Sequence, residues 1–159
     1  MDKINVEERV DRGVKYFMEG YNCSQSVALA FADIYDVPEE LMARIAASFG
    51  GGIGRMRLTC GTVSGMAMLA GLECGSTNPA DAAAKGRNYA EVQGLAEKFR
   101  EANGSITCAE LLKMRSCKVE TAPSPDVRNA EYYAARPCAR MVASACRIYA
   151  EYLNESAAE

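Results

Sequence analysis

The chain of 159 residues contains no histidine, and this absence removes a large part of enzyme chemistry. Without imidazole there is no Cys-His nucleophilic pair, no Ser-His-Asp triad, no zinc site with imidazole ligands and no haem attachment through C-x-x-C-H. Any chemistry must therefore use thiols, carboxylates, lysines, tyrosines and the backbone.

Signals for export, membrane insertion and nucleic-acid binding are also missing. The first segment, MDKINVEERVDR, is charged and lacks the apolar stretch of an export signal. No apolar run approaches the roughly 18 residues that cross a bilayer. The net charge of -3 argues against nucleic-acid binding. The sequence therefore predicts a cytoplasmic protein with no membrane insertion and no nucleic-acid partner.

Apolar residues recur at spacings of three and four along almost the whole chain, which predicts an all-α fold. No segment alternates as a strand does, and no internal repeat or domain boundary is visible. We expect residues 1–159 to form a single domain, a compact bundle of about five to seven helices. The apolar helix around Met66 to Leu72 suits either the centre of this bundle or a homodimer interface.

Capping residues predict where several helices begin. The predicted N-caps are Asn22, Asp36, Asn78 and Thr107, and Gln25 and Glu110 would complete capping boxes with the first and the last. The helix after Asp36 is expected to carry Leu41 and Ile45 on its apolar stripe. The segment CKVETAPSPDVRNA has two prolines and no periodicity, which predicts a loop.

A glycine-rich loop lies within SFGGGIGRMRLTCGTVSG, residues 48–65. It is not a Rossmann fingerprint, because the third glycine position is occupied by Arg55 or Arg57 and the preceding segment has a helical pattern. It is not a P-loop, because Gly-Lys-Ser and Gly-Lys-Thr do not occur. The loop is either a flexible connector or a cradle in which Gly51, Gly52 and the two arginines hold an anion.

Seven cysteines in a chain without an export signal favour thiol, metal or redox chemistry over a disulfide framework. Four of them follow a residue that favours a helix start: Cys23, Cys60, Cys108 and Cys138. The positive end of a helix stabilises a thiolate, so we expect thiol pKa values below the usual value of about 8.5. The alternative is that these four are unrelated buried apolar residues.

Spacing limits what the cysteines can do together. No C-x-x-C pair exists, so joint chemistry must be assembled from different helices. Cys74, Cys117 and Cys146 lack the helix-start context and are interpreted as small buried or incidental thiols.

The segment NCSQSV, the glycine loop with TCGTVSG, one cysteine downstream and another near the last helix together resemble the C_GCAxxG_C_C family. The resemblance runs from about Asn22 to about Cys146, and its four motif cysteines correspond to Cys23, Cys60, Cys108 and Cys138. The family's central C-G-A-x-x-G element corresponds to residues 60–65, with Thr62 in place of the usual alanine.

The resemblance implies a small helical protein whose redox role rests on these cysteines. A more distant similarity is to split-Soret cytochromes, where a related helical domain carries an iron-sulfur site. Four thiolates are the usual ligand set of such a cluster.

The leading hypothesis is therefore a redox protein that uses the four cysteines as a thiol/disulfide system or as iron-sulfur ligands, together with a redox partner protein. Arg55, Arg57 and Arg136 would raise the local positive potential, and Gly51, Gly52, Gly61 and Gly65 would support an anion or thiolate by letting the backbone and the arginines come close to it. One alternative is a structural zinc site with the same four ligands. Another is a non-catalytic module that binds a partner oxidoreductase or a small anion through the glycine loop.

Overall fold

The computed structural model describes residues 3–158. Within that range the chain forms eight α-helices and one short 3-10 helix, which confirms the all-α prediction with more helices than expected. The α-helices are α1 (Val6–Met18), α2 (Cys23–Leu29), α3 (Glu39–Ala47), α4 (Gly61–Cys74), α5 (Ala82–Asn103), α6 (Cys108–Lys113), α7 (Ala130–Ala135) and α8 (Cys138–Ser156), and the 3-10 helix is Ala32–Tyr35. A lone β-bridge between Thr59 and Thr107 is the sole strand-like pairing in this part of the chain.

The core is built around α4 and α8, which are placed centrally by their apolar side chains. Helix α4 packs against α2, α5 and α8, as its apolar sequence predicts, and α8 also packs along α1. The largest fully buried side chains include Phe17, Phe31, Met66, Leu69 and Tyr149. None of the helices between residues 3 and 158 has the length and apolar character needed to span a bilayer.

The capping box at the start of α2 is confirmed. Gln25 N donates to Asn22 Oδ1 at 2.9 Å, and Asn22 N donates to Gln25 Oε1 at 3.0 Å. The Gln25 side-chain amide also donates to Ala43 O at 3.0 Å, which ties α3 to α2. These three hydrogen bonds therefore fix the segment that carries Cys23.

Two features predicted for α3 are wrong. Asp36 ends the 3-10 helix in a left-handed conformation, and Pro38 takes the N-cap position. The helix buries Met42 rather than Leu41 and Ile45, which remain 49% and 50% exposed. The bond from Gln25 to Ala43 explains this rotation, because it turns the Met42 side of α3 toward α2.

Other helix starts differ in their details. Asp81, not Asn78, caps α5, because its carboxylate accepts from Ala84 N at 2.8 Å, whereas Asn78 closes a turn with Ala80 N. Thr107 takes the N-cap position of α6, but its side chain makes no capping bond. The segment 117–129 is the predicted loop, and the short helix α7 that follows it was not expected.

Candidate functional site

The four cysteines singled out by their context lie at four helix starts. Cys23, Cys108 and Cys138 are the first residues of α2, α6 and α8, and Cys60 is the N-cap of α4. All four side chains line one cavity of about 450 Å³. The fold therefore brings together residues that are 115 positions apart in sequence, from Cys23 to Cys138.

The remaining cysteines lie elsewhere. Cys74, Cys117 and Cys146 do not line the cavity, and all seven cysteines are free thiols. Cys146 is fully buried in the core, as its position on the apolar face of α8 predicts. The structure thus separates four cavity thiols from three others.

The glycine loop is a defined left-handed turn rather than a flexible connector. Every residue from Gly51 to Arg55 has a φ between 54° and 69°, and Arg57 follows with a φ of 62°. Glycine adopts this region without strain, but Ile53 and the two arginines do so at a cost. Backbone bonds hold the turn: Arg57 N donates to Gly51 O at 3.1 Å, and Leu58 N donates to Gly52 O at 2.9 Å.

Two glycines in this region leave room for cysteine side chains. A β-carbon on Gly52 would lie 2.7 Å from Cys108 Cβ, and one on Gly61 would collide with Cys23 Sγ. Gly65 has a different role from the thiolate support expected of it. It lies outside the cavity, and a β-carbon there would come within 3.0 Å of Val27, so it allows α2 and α4 to pack closely.

The loop is also joined to the start of α6 by the backbone. Cys108 N donates to Leu58 O at 2.6 Å, and Cys60 N donates to Ile106 O at 2.7 Å. These bonds flank the bridge between Thr59 and Thr107. Two of the four cavity cysteines are therefore positioned by direct backbone pairing.

The charged residues of the cavity wall are mostly positive. The lining includes four arginines and one carboxylate: Arg55, Arg57, Arg128, Arg136 and Asp126. The expected positive surroundings are thus present, and Arg128 adds to the three arginines named from the sequence. Such positive charge favours an anionic bound group.

Several of these arginines hold residues 117–129, here called the strap, along the cavity wall. Arg55 donates to Ala122 O at 2.6 Å and to Asp126 Oδ2 at 2.9 Å, and Arg57 donates to Glu120 O at 2.8 Å. Arg136 reaches the same Asp126 oxygen at 2.9 Å. The strap contributes Pro123, Pro125, Asp126 and Arg128 to the lining.

Arg128 is fixed on an aromatic surface. Its guanidinium donates to the carbonyls of Phe17 and Tyr21, both at 3.2 Å. It lies 4.4 Å from the Phe17 ring centroid and 4.9 Å from that of Tyr132. Burial, together with the nearby Cys138, raises the pKa of Tyr132 to about 12, so this cavity residue is a neutral phenol.

Burial changes the protonation of the thiols in the direction opposite to the one expected from their helix starts. It raises the pKa of Cys23 and of Cys60, and it raises that of Cys138 to about 12. The neighbouring thiols add to each shift, since Cys23 acts on both Cys60 and Cys138. Removal from water therefore outweighs the positive helix ends, and these three residues are protonated thiols at neutral pH when nothing is bound.

A residue that departs from the family motif contacts a motif cysteine. Thr62 is fully buried, and its Oγ1 lies 3.1 Å from Cys60 Sγ. An alanine at this position could not make that contact. The threonine therefore gives Cys60 a polar contact as well as a larger neighbour.

Sequence reasoning missed Asp126, Arg128 and Tyr132. The available signal was the length of the aperiodic strap, because long irregular segments in compact domains are often functional. Arg128 and Asp126 bond to groups far away in sequence, the Phe17 carbonyl and the Arg55 guanidinium. No local sequence pattern indicates such partners.

The cavity thiols do not form a site for a single metal ion. Nowhere between residues 3 and 158 do three Cys, Asp or Glu side chains surround one ion position. The four-cysteine zinc site therefore lacks the closely spaced tetrahedral arrangement that it requires.

Sequence comparison decides the family. A family model described as "Putative redox-active protein (C_GCAxxG_C_C)" matches residues 21–152, most of the chain. The chain belongs to the C_GCAxxG_C_C family. The segment shared with the C_GCAxxG_C_C model contains the glycine loop, the strap and all four cavity cysteines. Comparisons with curated proteins and with solved structures found no match.

Proposed function

We propose that this C_GCAxxG_C_C protein transfers electrons through an iron-sulfur cluster held by Cys23, Cys60, Cys108 and Cys138. The observation that carries the proposal is that four thiols from four helix starts line one arginine-rich cavity of about 450 Å³. Four cysteine thiolates are the usual ligand set of such clusters.

Protonation of the cavity thiols argues against a role as free nucleophiles. Burial keeps Cys23, Cys60 and Cys138 protonated, and a protonated thiol is a poor nucleophile. Coordination to iron deprotonates a thiol outright. These three sulfurs are therefore poor nucleophiles, and a metal cluster would bind them with release of their protons.

The charge of the cavity supports the same conclusion. A cluster with four thiolates is anionic, and four arginines against one aspartate offset that charge. When bound, the cluster would accept and release single electrons. The protein would exclude water with the strap, orient the thiolates at helix starts and compensate the negative charge.

A second candidate is a thiol/disulfide system. It is favoured by one contact, between Arg57 Nη1 and Cys108 Sγ at 3.7 Å, since a guanidinium stabilises a thiolate. In that case Cys108 and a second cavity cysteine would pass two electrons and two protons to a disulfide of the redox partner protein, which is reduced to two thiols, and would form one S–S bond.

Partner and compartment are part of the proposal. An electron-transfer site needs a donor and an acceptor, so we propose a redox partner protein. Seven free thiols are suited to a reducing compartment, and we propose the cytoplasm.

The test is anaerobic purification followed by iron, acid-labile sulfide and zinc analysis and visible absorption. We expect iron and sulfide in the wild type, in Cys74→Ser and in Cys117→Ser, and their loss in each cavity-cysteine variant. Circular dichroism checks that each variant is folded.

Other results would contradict the proposal. A colourless protein with one zinc per chain indicates the structural zinc site. A metal-free protein that forms a disulfide between cavity cysteines indicates the second candidate. A metal-free protein with unreactive cavity thiols, and with partner binding unchanged in Cys60→Ser, indicates a non-catalytic interaction module.

A further inference from the structure

Arg57 differs from the other arginines of the cavity in having an unused buried donor. Only 7% of its surface is exposed, and its Nη2 is buried without a hydrogen-bond partner among residues 3–158. The guanidinium of Arg128 donates to carbonyls of α1 and of the turn that follows it. The guanidinium of Arg136 donates to Asp126. Arg55 is bonded to the strap through Nε and Nη1.

The guanidinium of Arg57 is fixed in place. Its Nε donates to Glu120 O at 2.8 Å, and its Nη1 lies 3.7 Å from Cys108 Sγ. The backbone of the residue is held in a left-handed conformation by Gly51 O and by Ala109 N, which donates to Arg57 O at 3.2 Å. A strained conformation of this kind persists only where the surroundings enforce it, and here it aims the side chain at a cavity sulfur.

A buried charged donor without an acceptor is costly, so its presence calls for an acceptor that completes the site. An anionic acceptor forms the strongest bond with a guanidinium, and it would lie near Cys108, whose Sγ is 3.7 Å from Nη1 of the same guanidinium. Bonds from N–H groups to the sulfurs of an iron-sulfur site stabilise its reduced, more negative state and raise its reduction potential.

We propose that Arg57 contacts the iron-sulfur group directly, donating to Cys108 Sγ through Nη1 and to an anionic atom of the group through Nη2. This inference rests on the proposed function. It assigns to Arg57 a role that Arg55 lacks, although both are cavity arginines in left-handed conformations whose Nε atoms bind strap carbonyls.

The experiment compares Arg57→Gln with Arg55→Gln in the anaerobically purified full-length protein. Iron and sulfide content, the visible spectrum and the midpoint potential are measured for both variants and the wild type. We expect Arg57→Gln to lower the midpoint potential. At the wild-type midpoint, the ratio of reduced to oxidised cluster should fall at least tenfold, which corresponds to a shift of about 59 mV for one electron. Arg55→Gln should shift it by less than half as much, because Arg55 makes no sulfur contact.

The variant Arg57→Lys separates charge from hydrogen bonding, because lysine keeps the charge but has no planar fork. Only partial recovery of the potential is expected. Full recovery of the wild-type potential in Arg57→Lys would overturn the assignment, and so would equal potential shifts in Arg57→Gln and Arg55→Gln. Either result would show that only the positive charge near the cluster matters. Loss of iron from Arg57→Gln alone, with its helical circular dichroism retained, supports direct contact.

The two proposals fail separately. A wild-type protein without iron and sulfide overturns the cluster and the Arg57 contact together. A wild-type protein with a cluster whose potential is unchanged in Arg57→Gln overturns only the contact.

Discussion

The sulfur of Cys23 occupies the space that a β-carbon on Gly61 would need. The same glycine faces Phe49 O and Ser24 N, which would lie 2.9 and 3.1 Å from that β-carbon and belong to backbone that cannot easily move. Gly61 therefore sets how closely α4 approaches the thiol at the start of α2. Glycine is therefore needed directly after Cys60 because a larger residue there would collide with the side chain of Cys23.

This relationship predicts that Gly61→Ala displaces Cys23. We expect loss of iron from the purified protein and a decrease of about 1 to 3 kcal/mol in the free energy of unfolding, as is typical of overpacking. The matched control is Gly71→Ala in the same helix, where nothing lies within 4 Å. That variant should keep its iron and gain about 0.5 to 1 kcal/mol. Equal behaviour of the two variants in urea unfolding would show that the site tolerates the extra carbon.

A second prediction concerns Asp126, which joins Arg55 and Arg136 to the strap. Burial would raise the pKa of Asp126, but the hydrogen bond from Arg55 and the charge of Arg136 outweigh it and lower the pKa. Its contribution to stability is therefore present above the unfolded pKa of about 3.9 and is lost as the pH falls through the lower folded pKa.

Asp126→Asn should accordingly lower the free energy of unfolding at pH 7 by about 1 to 3 kcal/mol. The difference from wild type should shrink toward pH 3, and amides of the strap should exchange faster at pH 7. Glu40→Gln is the control, because its ion pair with Arg44 is exposed and contributes little. A difference that stays constant between pH 7 and pH 3 would rule out the ionised carboxylate as the cause.

A third prediction uses Cys146, which is fully buried and is not a cavity residue. Burial, only partly opposed by the charge of Arg9, raises its pKa to about 12. In the unfolded chain this thiol ionises near pH 8.5, so its contribution is fully present below that pH and is lost as the pH rises toward 12.

Replacing the thiol should therefore flatten the pH dependence of stability. Between pH 9 and 11 the free energy of unfolding should fall less steeply for Cys146→Ala than for wild type. The difference between the two slopes should be about 1.4 kcal/mol per pH unit. Urea unfolding at several pH values measures the slope. Parallel slopes for the two proteins would mean that Cys146 ionises as easily in the folded protein as in the unfolded chain.

A fourth prediction concerns backbone strain at Ile53, a β-branched residue with a φ of 64°. Glycine at this position relieves a strain of about 1 to 2 kcal/mol, which offsets the loss of the half-buried side chain and the larger backbone entropy of the unfolded chain. We expect Ile53→Gly to leave the free energy of unfolding unchanged or to raise it. The same substitution at Ile45, in the exposed face of α3, should lower it by about 1 kcal/mol. Similar losses at both positions in denaturant titrations would argue against strain at Ile53.

Much of the local structure was predictable because its causes are local. Asn22 and Gln25 form their capping box from residues three positions apart, and this box fixes the start of α2 at Cys23. The exposure of Leu41 was not predictable from periodicity, since the orientation of α3 depends on a bond from Gln25 to Ala43.

The candidate site was predictable in its sulfur atoms but not in its surroundings. The positive helix ends correctly indicated where Cys23 and Cys138 lie, but burial, which depends on the whole fold, reversed the direction of their pKa shifts. The strap was recognised only as a loop, because Arg55 and Arg57 bind its backbone carbonyls, which have no sequence signature. Resemblance to the family indicated which four cysteines belong together.

The position of Cys138 at the start of α8 determines when the site can be completed during synthesis. The ribosome supplies Cys23, Cys60 and Cys108 first, and the fourth sulfur reaches the cavity only after α8 can pack along α1. Asn154 then joins the two ends of the fold by donating to Ile4 O at 3.0 Å and accepting from Ile4 N at 2.8 Å. A nascent chain that stops short of α8 has three of the four cavity sulfurs, so a group that binds all four can be bound only after the first residue of the last helix has been made.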